Sequence, residues 1–248
     1  MEKVVAIIQA RMGSTRLPGK IMKKIKGKTV LEHVINRVRQ SKYIDEIVIA
    51  TTELERDLVV VEEAKRCGVS VYRGSEEDVL SRYYHAGKEN RGDIIVRITS
   101  DCPLIDAEVV DSFIQYYKDN DYALVTNAGS DLVQRTYPRG LDAEVFSFKV
   151  LEEAYKYAER QYQREHVTPY IYENYDKIYY YKNDLDYSKY RWTLDTEEDF
   201  QLIETVYQHL YQDNHKFSFT DILNLLKKYP ELTLINAHVE QKKVIDNK

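Results

Sequence analysis

The sequence predicts an α/β domain with a mostly parallel sheet flanked by helices. Short apolar runs alternate with amphipathic stretches through the first half of the chain. This repeated β-α-β spacing is typical of a parallel sheet that carries helices on both faces. The 248 residues are 43% hydrophobic and 31% charged, a balance that suits a globular domain with a sizeable core. We expect residues 1–240 to form this single domain and residues 241–248 to form a charged tail.

The first half, residues 1–126, is expected to bind the ligand through loops that follow its strands. The predicted strands are Val4–Gln9, Glu46–Ala50, Ser70–Tyr72, Asp93–Ile98 and Tyr122–Thr126. The predicted helices are Val30–Gln40, Glu55–Cys67, Glu76–Asn90 and Glu108–Lys118. Right-handed crossovers between parallel strands place the loops that follow them along one edge of the sheet.

The second half, residues 127–240, is less regular and is expected to elaborate the same domain. Asn127–Leu141 is rich in turn residues and predicts a loop. The predicted strands are Ala143–Phe146 and an exposed one at Lys177–Lys182. The predicted helices are Phe148–Arg160, Arg164–Tyr175, Asp195–Tyr211 and Thr220–Lys228.

Composition argues against several classes of protein. A formal net charge of -5 argues against a general nucleic-acid binder, which is usually basic. The only early apolar run, Val4–Ile8, is too short for a signal peptide or a membrane span. Cys67 and Cys102 lack the spacing of a zinc site or a disulfide framework, so we expect a reducing, cytoplasmic location.

The loop that follows the first predicted strand carries the strongest chemical signal. Gln9–Lys20 reads Q-A-R-M-G-S-T-R-L-P-G-K and supplies two arginines, a lysine and two hydroxyl groups. Ligands of open parallel sheets bind at such strand ends. Fixed cations combined with a Gly- and Ser-containing turn suit a polyanion, and a nucleoside triphosphate fits best.

This loop is not a P-loop of the kinase or GTPase type. Gly13 and Gly19 are separated by one residue too many, and Ile21 stands where Ser or Thr would reach magnesium. Pro18 also removes a backbone N–H that a P-loop would use.

A second motif, Arg97–Leu104, places Asp101 after the strand Asp93–Ile98 and so at the same edge as the first loop. A carboxylate that faces a triphosphate is useful when magnesium lies between them, although an aspartate in a turn can also be structural. Cys102 has no neighbouring lysine or histidine in sequence and is interpreted as a packing thiol.

A third motif is Arg191–Asp199. Thr196 or Asp195 can cap a helix there, and Glu197, Glu198 and Asp199 are expected at the cap and on the solvated face of that helix.

The segment A-R-M-G-S-T-R-L-P-G-K resembles the signature of the cytidylyltransferases that activate acidic sugars, the CMP-sugar synthetases. The resemblance is closest to the spore-coat polysaccharide type of that family and extends along most of the chain. It implies a Rossmann-like nucleotidyltransferase fold, similar to that of GT-A enzymes, and a homodimer formed through the C-terminal elaboration.

The resemblance also implies roles for residues of the nucleotide site. Asp101, in a variant of the family motif G-D-x-P with Ser100 in place of glycine, and Asp195, in a D-T-x-E-D stretch, would hold Mg²⁺. Arg11, Arg16, Lys20 and Asp101 would be the catalytic residues. The implied nucleotide contacts are Ala10, Arg11, Met12, Gly13, Ser14, Arg16, Lys20, Thr51, Arg97 and Asp101.

Two further stretches resemble family segments that line an acceptor pocket. Pro138–Phe146 supplies Arg139, Asp142 and Glu144, and Gln163–Tyr170 supplies Arg164 and His166. The same residues also fit a loop that enters a strand and a structural histidine on a helix, so both interpretations stay open.

The functional prediction is transfer of CMP from CTP to an acidic sugar or a phosphorylated small acceptor, with release of pyrophosphate. One alternative is a nucleotidyltransferase that uses another NTP on a sugar 1-phosphate. A second is a nucleotide-sugar glycosyltransferase, although Asp101-Cys102-Pro103 lacks the second aspartate of an Asp-x-Asp motif. A third is a protein that binds a nucleotide without turnover.

Overall fold

The computed structural model describes residues 2–128 and 134–240, in which a central sheet dominates. The strands are β1 (Val4–Gln9), β2 (Lys24–Ile25), β3 (Lys28–Thr29), β4 (Glu46–Thr52), β5 (Ser70–Gly74), β6 (Ile94–Thr99), β7 (Leu124–Thr126), β8 (Glu144–Ser147) and β9 (Ile178–Tyr180). The sheet has seven strands in the order β5-β4-β1-β6-β8-β7-β9, and β2 and β3 form a separate hairpin. Over the described ranges, β8 is the one sheet strand that runs against the others. The mostly parallel α/β sheet is therefore confirmed.

Helices cover both faces of this sheet. They are α1 (Val30–Val38), α2 (Leu58–Arg66), α3 (Val79–Glu89), α4 (Ala107–Asp119), α5 (Phe148–Tyr157), α6 (Gln161–His166), α7 (Pro169–Asn174), α8 (Glu197–Leu210) and α9 (Phe219–Lys228). Short 3₁₀ turns occupy Lys20–Met22, Glu55–Asp57 and Pro230–Leu234. The two halves of the chain contribute strands to one sheet and together form one domain.

The core is divided in two by the sheet because successive side chains of a strand point to opposite faces. In β1, Val4, Ala6 and Ile8 pack with helices α1, α2, α4, α8 and α9. Val5 and Ile7 pack with α3, α5 and α7 on the other side. Burial on both faces explains why β1 is a continuous apolar run rather than an alternating one.

The register of the sheet fixes where the functional loops begin. Gln9, at the end of β1, pairs with Ala50 of β4 and with Thr99 of β6. The chain segments that follow these three strands therefore leave the sheet side by side at one edge, as the sequence predicted.

The prediction of one helix over Arg164–Tyr175 is wrong. Two short helices, α6 and α7, are separated at Val167, which has φ 73° and ψ -57°. Pro169 has no backbone N–H to donate into a preceding turn and instead occupies the first turn of α7. The β2–β3 hairpin was also missed; its two-residue turn uses positive φ at Lys26 and Gly27.

Parts of two predictions lie outside the described residues. These are residues 129–133 of the loop predicted at Asn127–Leu141 and the tail predicted at residues 241–248. None of the helices in the described ranges has the length and apolar character needed to cross a bilayer.

Two histidines without a recognisable sequence pattern form a buried pair. His33 is fully buried; its Nε2 lies 2.8 Å from the carbonyl oxygen of Ile25 and its Nδ1 lies 2.8 Å from Nε2 of His215. The contact with a carbonyl requires a proton on Nε2, so neutral His33 accepts the hydrogen bond from His215. Burial lowers the pKa of His33 to about 4 and that of His215 to about 3.

This pair should make the domain sensitive to mild acid. Since both folded-state pKa values lie below the ordinary value, the unfolded chain binds more protons between about pH 6.5 and 4, and stability falls as pH falls through that window. The slope is about 1 kcal/mol per pH unit for each histidine. The free energy of unfolding in urea should differ less between neutral and mildly acidic pH in His215→Gln than in wild type. The amide of the new side chain can still donate to His33.

The matched control is His209→Gln, because His209 is exposed on α8, where its Nδ1 bonds the carbonyl of Thr205. It should leave the pH dependence unchanged. An unaltered pH dependence in His215→Gln would contradict the role assigned to the pair.

Candidate active site

The loop after β1 is held at its start by a buried carboxylate. Asp57 is fully buried, accepts a hydrogen bond from the backbone N–H of Met12 at 2.6 Å and another from the Thr52 hydroxyl. The N–H of Ala10 donates to the carbonyl of Ala50 at 3.1 Å, which continues the β1–β4 pairing by one residue. These contacts fix the direction in which the loop leaves the sheet.

The end of the loop presents Lys20 to the sheet edge. The N–H of Gly19 donates to the carbonyl of Met12 at 3.3 Å, so the loop folds back on itself. Gly19 has φ 66°, a left-handed conformation that glycine adopts without steric cost, and it starts the 3₁₀ turn at Lys20.

Lys20 joins the two acidic residues that the sequence singled out. Its Nζ lies 2.8 Å from Oδ2 of Asp101, 2.8 Å from Oδ1 of Asp195 and 2.7 Å from the carbonyl oxygen of Leu194. The two carboxylates approach each other because the N–H of Leu194 donates to the carbonyl of Asp101 at 2.8 Å. Arg16, Lys20, Asp101 and Asp195 therefore form one cluster, which we call the charge cluster.

Asp195 is surrounded by positive charge. Its Oδ2 lies 2.9 Å from Nη2 of Arg16 and 2.7 Å from Nη2 of Arg191. Arg191 also bonds Asp199, whose carboxylate accepts from the backbone N–H groups of Asp195 and Thr196. Asp199 forms the capping box with Thr196, so its expected place at the cap is confirmed, but it is fully buried and does not lie on a solvated face.

The electrostatics of the cluster favour its charged forms. Burial alone would lower the pKa of Lys20, but the carboxylates of Asp101 and Asp195 outweigh it and raise that pKa. Burial would raise the pKa of Asp195, but Lys20 and Arg16 lower it overall. The Lys20 ammonium and the Asp195 carboxylate are thus ionised at neutral pH.

Arg11 lies apart from this cluster. Its Nη1 lies 3.4 Å from Oε1 of Glu76, which also accepts from Arg56. A side chain at Gly13 would come within 3.2 Å of Glu76 and 3.3 Å of Arg56, so glycine keeps the loop clear of them. Met12, Gly13 and Ser14 lie between Arg11 and Arg16 on the same loop, and the N–H of Ser14 donates to the carbonyl of Met12.

A second group of polar contacts is built around Glu144. This carboxylate is buried and accepts from Arg97 Nη1, from the Thr168 hydroxyl at 2.9 Å and from the Tyr172 hydroxyl at 2.6 Å. Burial would lower the pKa of Arg97, but Glu144 raises it. The oxygens of Glu144 are engaged by these side chains, so Glu144 holds Arg97 in place. The sequence had suggested instead that Glu144 would face an acceptor directly.

Arg139 and Asp142 lie where the loop enters β8. The Arg139 backbone pairs with that of Arg191, and burial lowers the pKa of the half-buried Arg139 guanidinium. Asp142 forms an ion pair with the buried Arg135 at 2.5 Å. This pair is close enough to the thiol of Cys102 to interact with it electrostatically.

The remaining predicted residues are Arg164, His166, Thr51 and the neighbouring Cys102, and their surroundings differ. Arg164 bonds Asp78, the N-cap of α3, and donates to the carbonyl of Tyr155 at 2.7 Å, so it ties α6 to α3 and α5. His166 is half-buried at the end of α6. Thr51 is fully buried at the end of β4. Burial raises the pKa of the Cys102 thiol, in accord with a packing role.

The charge cluster offers few but suitable ligands for a metal ion. Carboxylate oxygens are the groups that Mg²⁺ prefers. Asp101 and Asp195 both contact the Lys20 ammonium, so the space between the two carboxylates accommodates a positive charge. Within the described ranges, no three acidic, histidine or cysteine side chains form a complete metal site. A metal held by two carboxylates needs further oxygens, which a triphosphate supplies.

Four residues that shape the site were missed from the sequence: Asp57, Arg135, Arg191 and Asp199 were not assigned to it. Arg191 and Asp199 lie at the ends of a motif that was recognised, so their spacing around Asp195 offered a signal. Asp57 and Arg135 offered none, because Met12 is 45 residues from Asp57 and because Arg135 and Asp142 lie in a loop without a regular pattern.

A mostly parallel sheet with basic and acidic residues at its strand ends defines an α/β protein of the nucleotide-binding kind. The cytidylyltransferase family model matches residues 5–244, and the chain belongs to that family. It is therefore a nucleotidyltransferase that uses CTP. This assignment excludes the two alternatives of a nucleotide-sugar glycosyltransferase and of a protein that binds a nucleotide without turnover.

Related proteins agree with this assignment. The chain is 41% identical to an uncharacterised protein of Methanocaldococcus jannaschii over 97% of both chains. It is 34% identical to the spore coat polysaccharide biosynthesis protein SpsF of Bacillus subtilis, over 93% of this chain and 97% of that protein. A solved cytidylyltransferase from Leptospira borgpetersenii matches with a TM-score of 0.88 at 38% identity, over 98% of this chain and all of that one.

Gly140 should be essential for the approach of the Arg191–Asp195 segment. It has φ +99°, and an added Cβ would lie 2.5 Å from the carbonyl carbon of Trp192 and 2.6 Å from the nitrogen of Thr193. Gly140→Ala should therefore lower the free energy of unfolding by more than about 2 kcal/mol, measured by urea denaturation.

Gly27→Ala is the matched control because Gly27 has φ +80° and nothing within 4 Å of an added Cβ. It should cost only about 1 kcal/mol, the conformational penalty alone. Equal losses in the two variants would show that the contact with Trp192 and Thr193 contributes nothing.

Proposed function

We propose that this enzyme transfers CMP from CTP to an anionic sugar acid or phosphorylated small acceptor and releases pyrophosphate. The observation that carries the proposal is the charge cluster, in which Arg16 and Lys20 meet Asp101 and Asp195 at the strand ends. Cations for phosphates and carboxylates for a metal ion are the two groups of ligands that attack of an acceptor oxygen on the α-phosphorus needs, as pyrophosphate leaves.

The loop after β1 binds the triphosphate in this proposal. Its cations neutralise the β- and γ-phosphates; they are Arg11, Arg16 and Lys20. The triphosphate also lies along the loop backbone at Met12, Gly13 and Ser14. Ala10, Thr51 and Arg97 lie at the ends of β1, β4 and β6, where they would read the cytosine edge. The ion pair with Glu144 gives Arg97 a fixed orientation for that purpose.

Asp101 and Asp195 would hold Mg²⁺, and their paired carboxylates with a cation between them support that role. When bound, Mg²⁺ neutralises charge on the phosphates. The residues of the chain then position the α-phosphorus for in-line attack and stabilise the pyrophosphate that leaves. A carboxylate or phosphate nucleophile needs no general base, so the absence of one among the cluster residues is no obstacle.

The acceptor is proposed to bind near Arg139, on the wall that Glu144 and Asp142 build. Arg139 is half-buried and close to the ion pair of Asp142 with Arg135. A guanidinium in such a place suits a carboxylate or phosphate. His166 lies beyond the same wall, two residues before Thr168, and completes the proposed set. The similarity to SpsF supports a precursor of a surface polysaccharide as the product.

Pyrophosphate release measures this reaction directly. Each of the four NTPs is offered with magnesium against a panel of sugar acids, sugar phosphates and phosphorylated small acids. We expect release with CTP and one class of acceptor, and a loss of about 100-fold or more in Asp101→Asn, which removes one negative charge without changing shape.

Asp121→Asn is the control, because Asp121 is exposed just before β7 and pairs with the exposed Lys177, away from the charge cluster. It should retain full activity. Release with another NTP in place of CTP, or full activity in Asp101→Asn, would contradict the proposal.

The proposal includes a homodimer in the cytoplasm, where CTP is available. Strand β9 is one edge of the sheet and is only half-buried. Tyr179 of this strand stacks on Tyr116 with ring centroids 4.2 Å apart and also contacts Tyr122. Tyrosine suits half-buried contacts, so this edge is a reasonable interface between copies.

Sedimentation at micromolar protein should therefore give a dimer. Tyr179→Lys would place a charge in the aromatic stack and should shift the protein towards monomer. Wild-type protein that remains monomeric would contradict the proposed dimer without affecting the proposed reaction.

A further inference from the structure

Lys20 has no free hydrogen-bonding capacity in this structure. A lysine ammonium has three protons. Its three acceptors are the carboxylates of Asp101 and Asp195 and the carbonyl of Leu194, all at 2.7–2.8 Å. The side chain is only 12% exposed, so water contributes little to its environment. The lysine expected to bind phosphate is thus fully engaged by the residues expected to bind metal.

The charges around this ammonium are already balanced. Arg16 and Arg191 bond Asp195, and Arg191 bonds Asp199 as well. Lys20, Arg16 and Arg191 supply three positive charges, and Asp101, Asp195 and Asp199 supply three negative ones. A divalent cation that entered alone would leave two uncompensated positive charges in a partly buried site, which is unfavourable.

A triphosphate changes this balance. Its negative charges compensate an incoming divalent cation, and its oxygens are alternative acceptors for Lys20 and Arg16. Both side chains are on the loop after β1 and need only exchange carboxylate oxygens for phosphate oxygens. The oxygens that Lys20 releases in that exchange, Oδ2 of Asp101 and Oδ1 of Asp195, are then free to bind the metal.

We propose that, in the nucleotide-free enzyme, Lys20 occupies the position between Asp101 and Asp195 that a divalent cation takes, so that metal enters only together with the triphosphate. Lys20 thereby has two successive partners, the carboxylates before binding and the phosphates after it. Metal and triphosphate bind with positive coupling, because each relieves the electrostatic cost of the other. The inference rests on the proposed metal-dependent transfer but concerns binding, not turnover.

Equilibrium dialysis with Mn²⁺ as the probe tests this inference without any reaction. When nucleotide is absent, wild-type protein should retain no Mn²⁺ even at millimolar concentrations of the metal. It should retain Mn²⁺ when a non-hydrolysable α,β-methylene CTP is added. Lys20→Met keeps the length of the side chain and removes the charge, so this variant should bind Mn²⁺ alone at least about tenfold more tightly than wild type.

Two further variants make the comparison specific. Lys23→Met removes a nearby ammonium that pairs at 2.7 Å with the exposed Glu197, and it should behave like wild type. Adding Asp195→Asn to Lys20→Met should remove the gained Mn²⁺ site. Circular dichroism establishes that each variant is folded before dialysis.

Wild-type protein that binds Mn²⁺ alone as tightly as it does with the nucleotide analogue would overturn the inference, even if Lys20→Met failed to fold. A folded Lys20→Met variant with no gain in Mn²⁺ affinity would overturn it as well. Failure of the proposed function has a different signature. In that case pyrophosphate release would be absent from every pair of substrates, whatever the Mn²⁺ binding shows.

Discussion

The contacts of the Lys20 ammonium connect the parts of the molecule on which the site depends. They join residues that are 81 and 175 positions apart in the sequence. Bringing such distant segments together costs conformational entropy, so the contact forms only when the sheet already places its loops side by side. The pairing of Gln9 with Thr99 in the sheet provides that placement. The site is therefore a consequence of sheet register, and a slip between β1 and β6 would separate Lys20 from Asp101.

The C-terminal segment is part of the site through a second layer of contacts. Asp199 accepts hydrogen bonds from Arg191 and from Asn236, which lies after the last 3₁₀ turn. Buried ion pairs contribute little net stability, but removing one partner leaves an uncompensated charge. The function of this layer is thus to fix Asp195 in one position. These contacts explain why the position of Asp195, just before α8, depends on Asn236, which follows α9.

Sequence reasoning succeeded where the signal was local. The apolar run of β1 and the capping pattern at Thr196 predicted their elements because periodicity and caps depend on neighbouring residues. The ordered loop after β1 allowed the family to be recognised. Reasoning failed for the helix at Arg164–Tyr175, where the contribution of Pro169 was underestimated.

Burial and partner choice were beyond local reasoning. The stretch around Asp199 resembles an ordinary acidic first turn, and nothing near it in sequence predicts its burial or its pairing with Asn236, 37 residues away. Likewise, Glu144 alternates with apolar residues as a strand end does, yet its partners come from β6 and α7. Such partnerships follow from the packing of elements, which a single sequence does not specify.

Backbone strain is found beside Glu144 and not in the charge cluster. Val167, fully buried, has φ 73° and ψ -57°, and the N–H of Thr168 donates back to the carbonyl of His166 at 2.9 Å. A γ-turn with positive φ costs a β-branched residue about 1–3 kcal/mol and persists only when its surroundings enforce it. Here the turn directs the Thr168 hydroxyl to Glu144, which in turn holds Arg97. The strained turn is therefore enforced by its surroundings, and it fixes the position of Arg97 through the contact between Thr168 and Glu144.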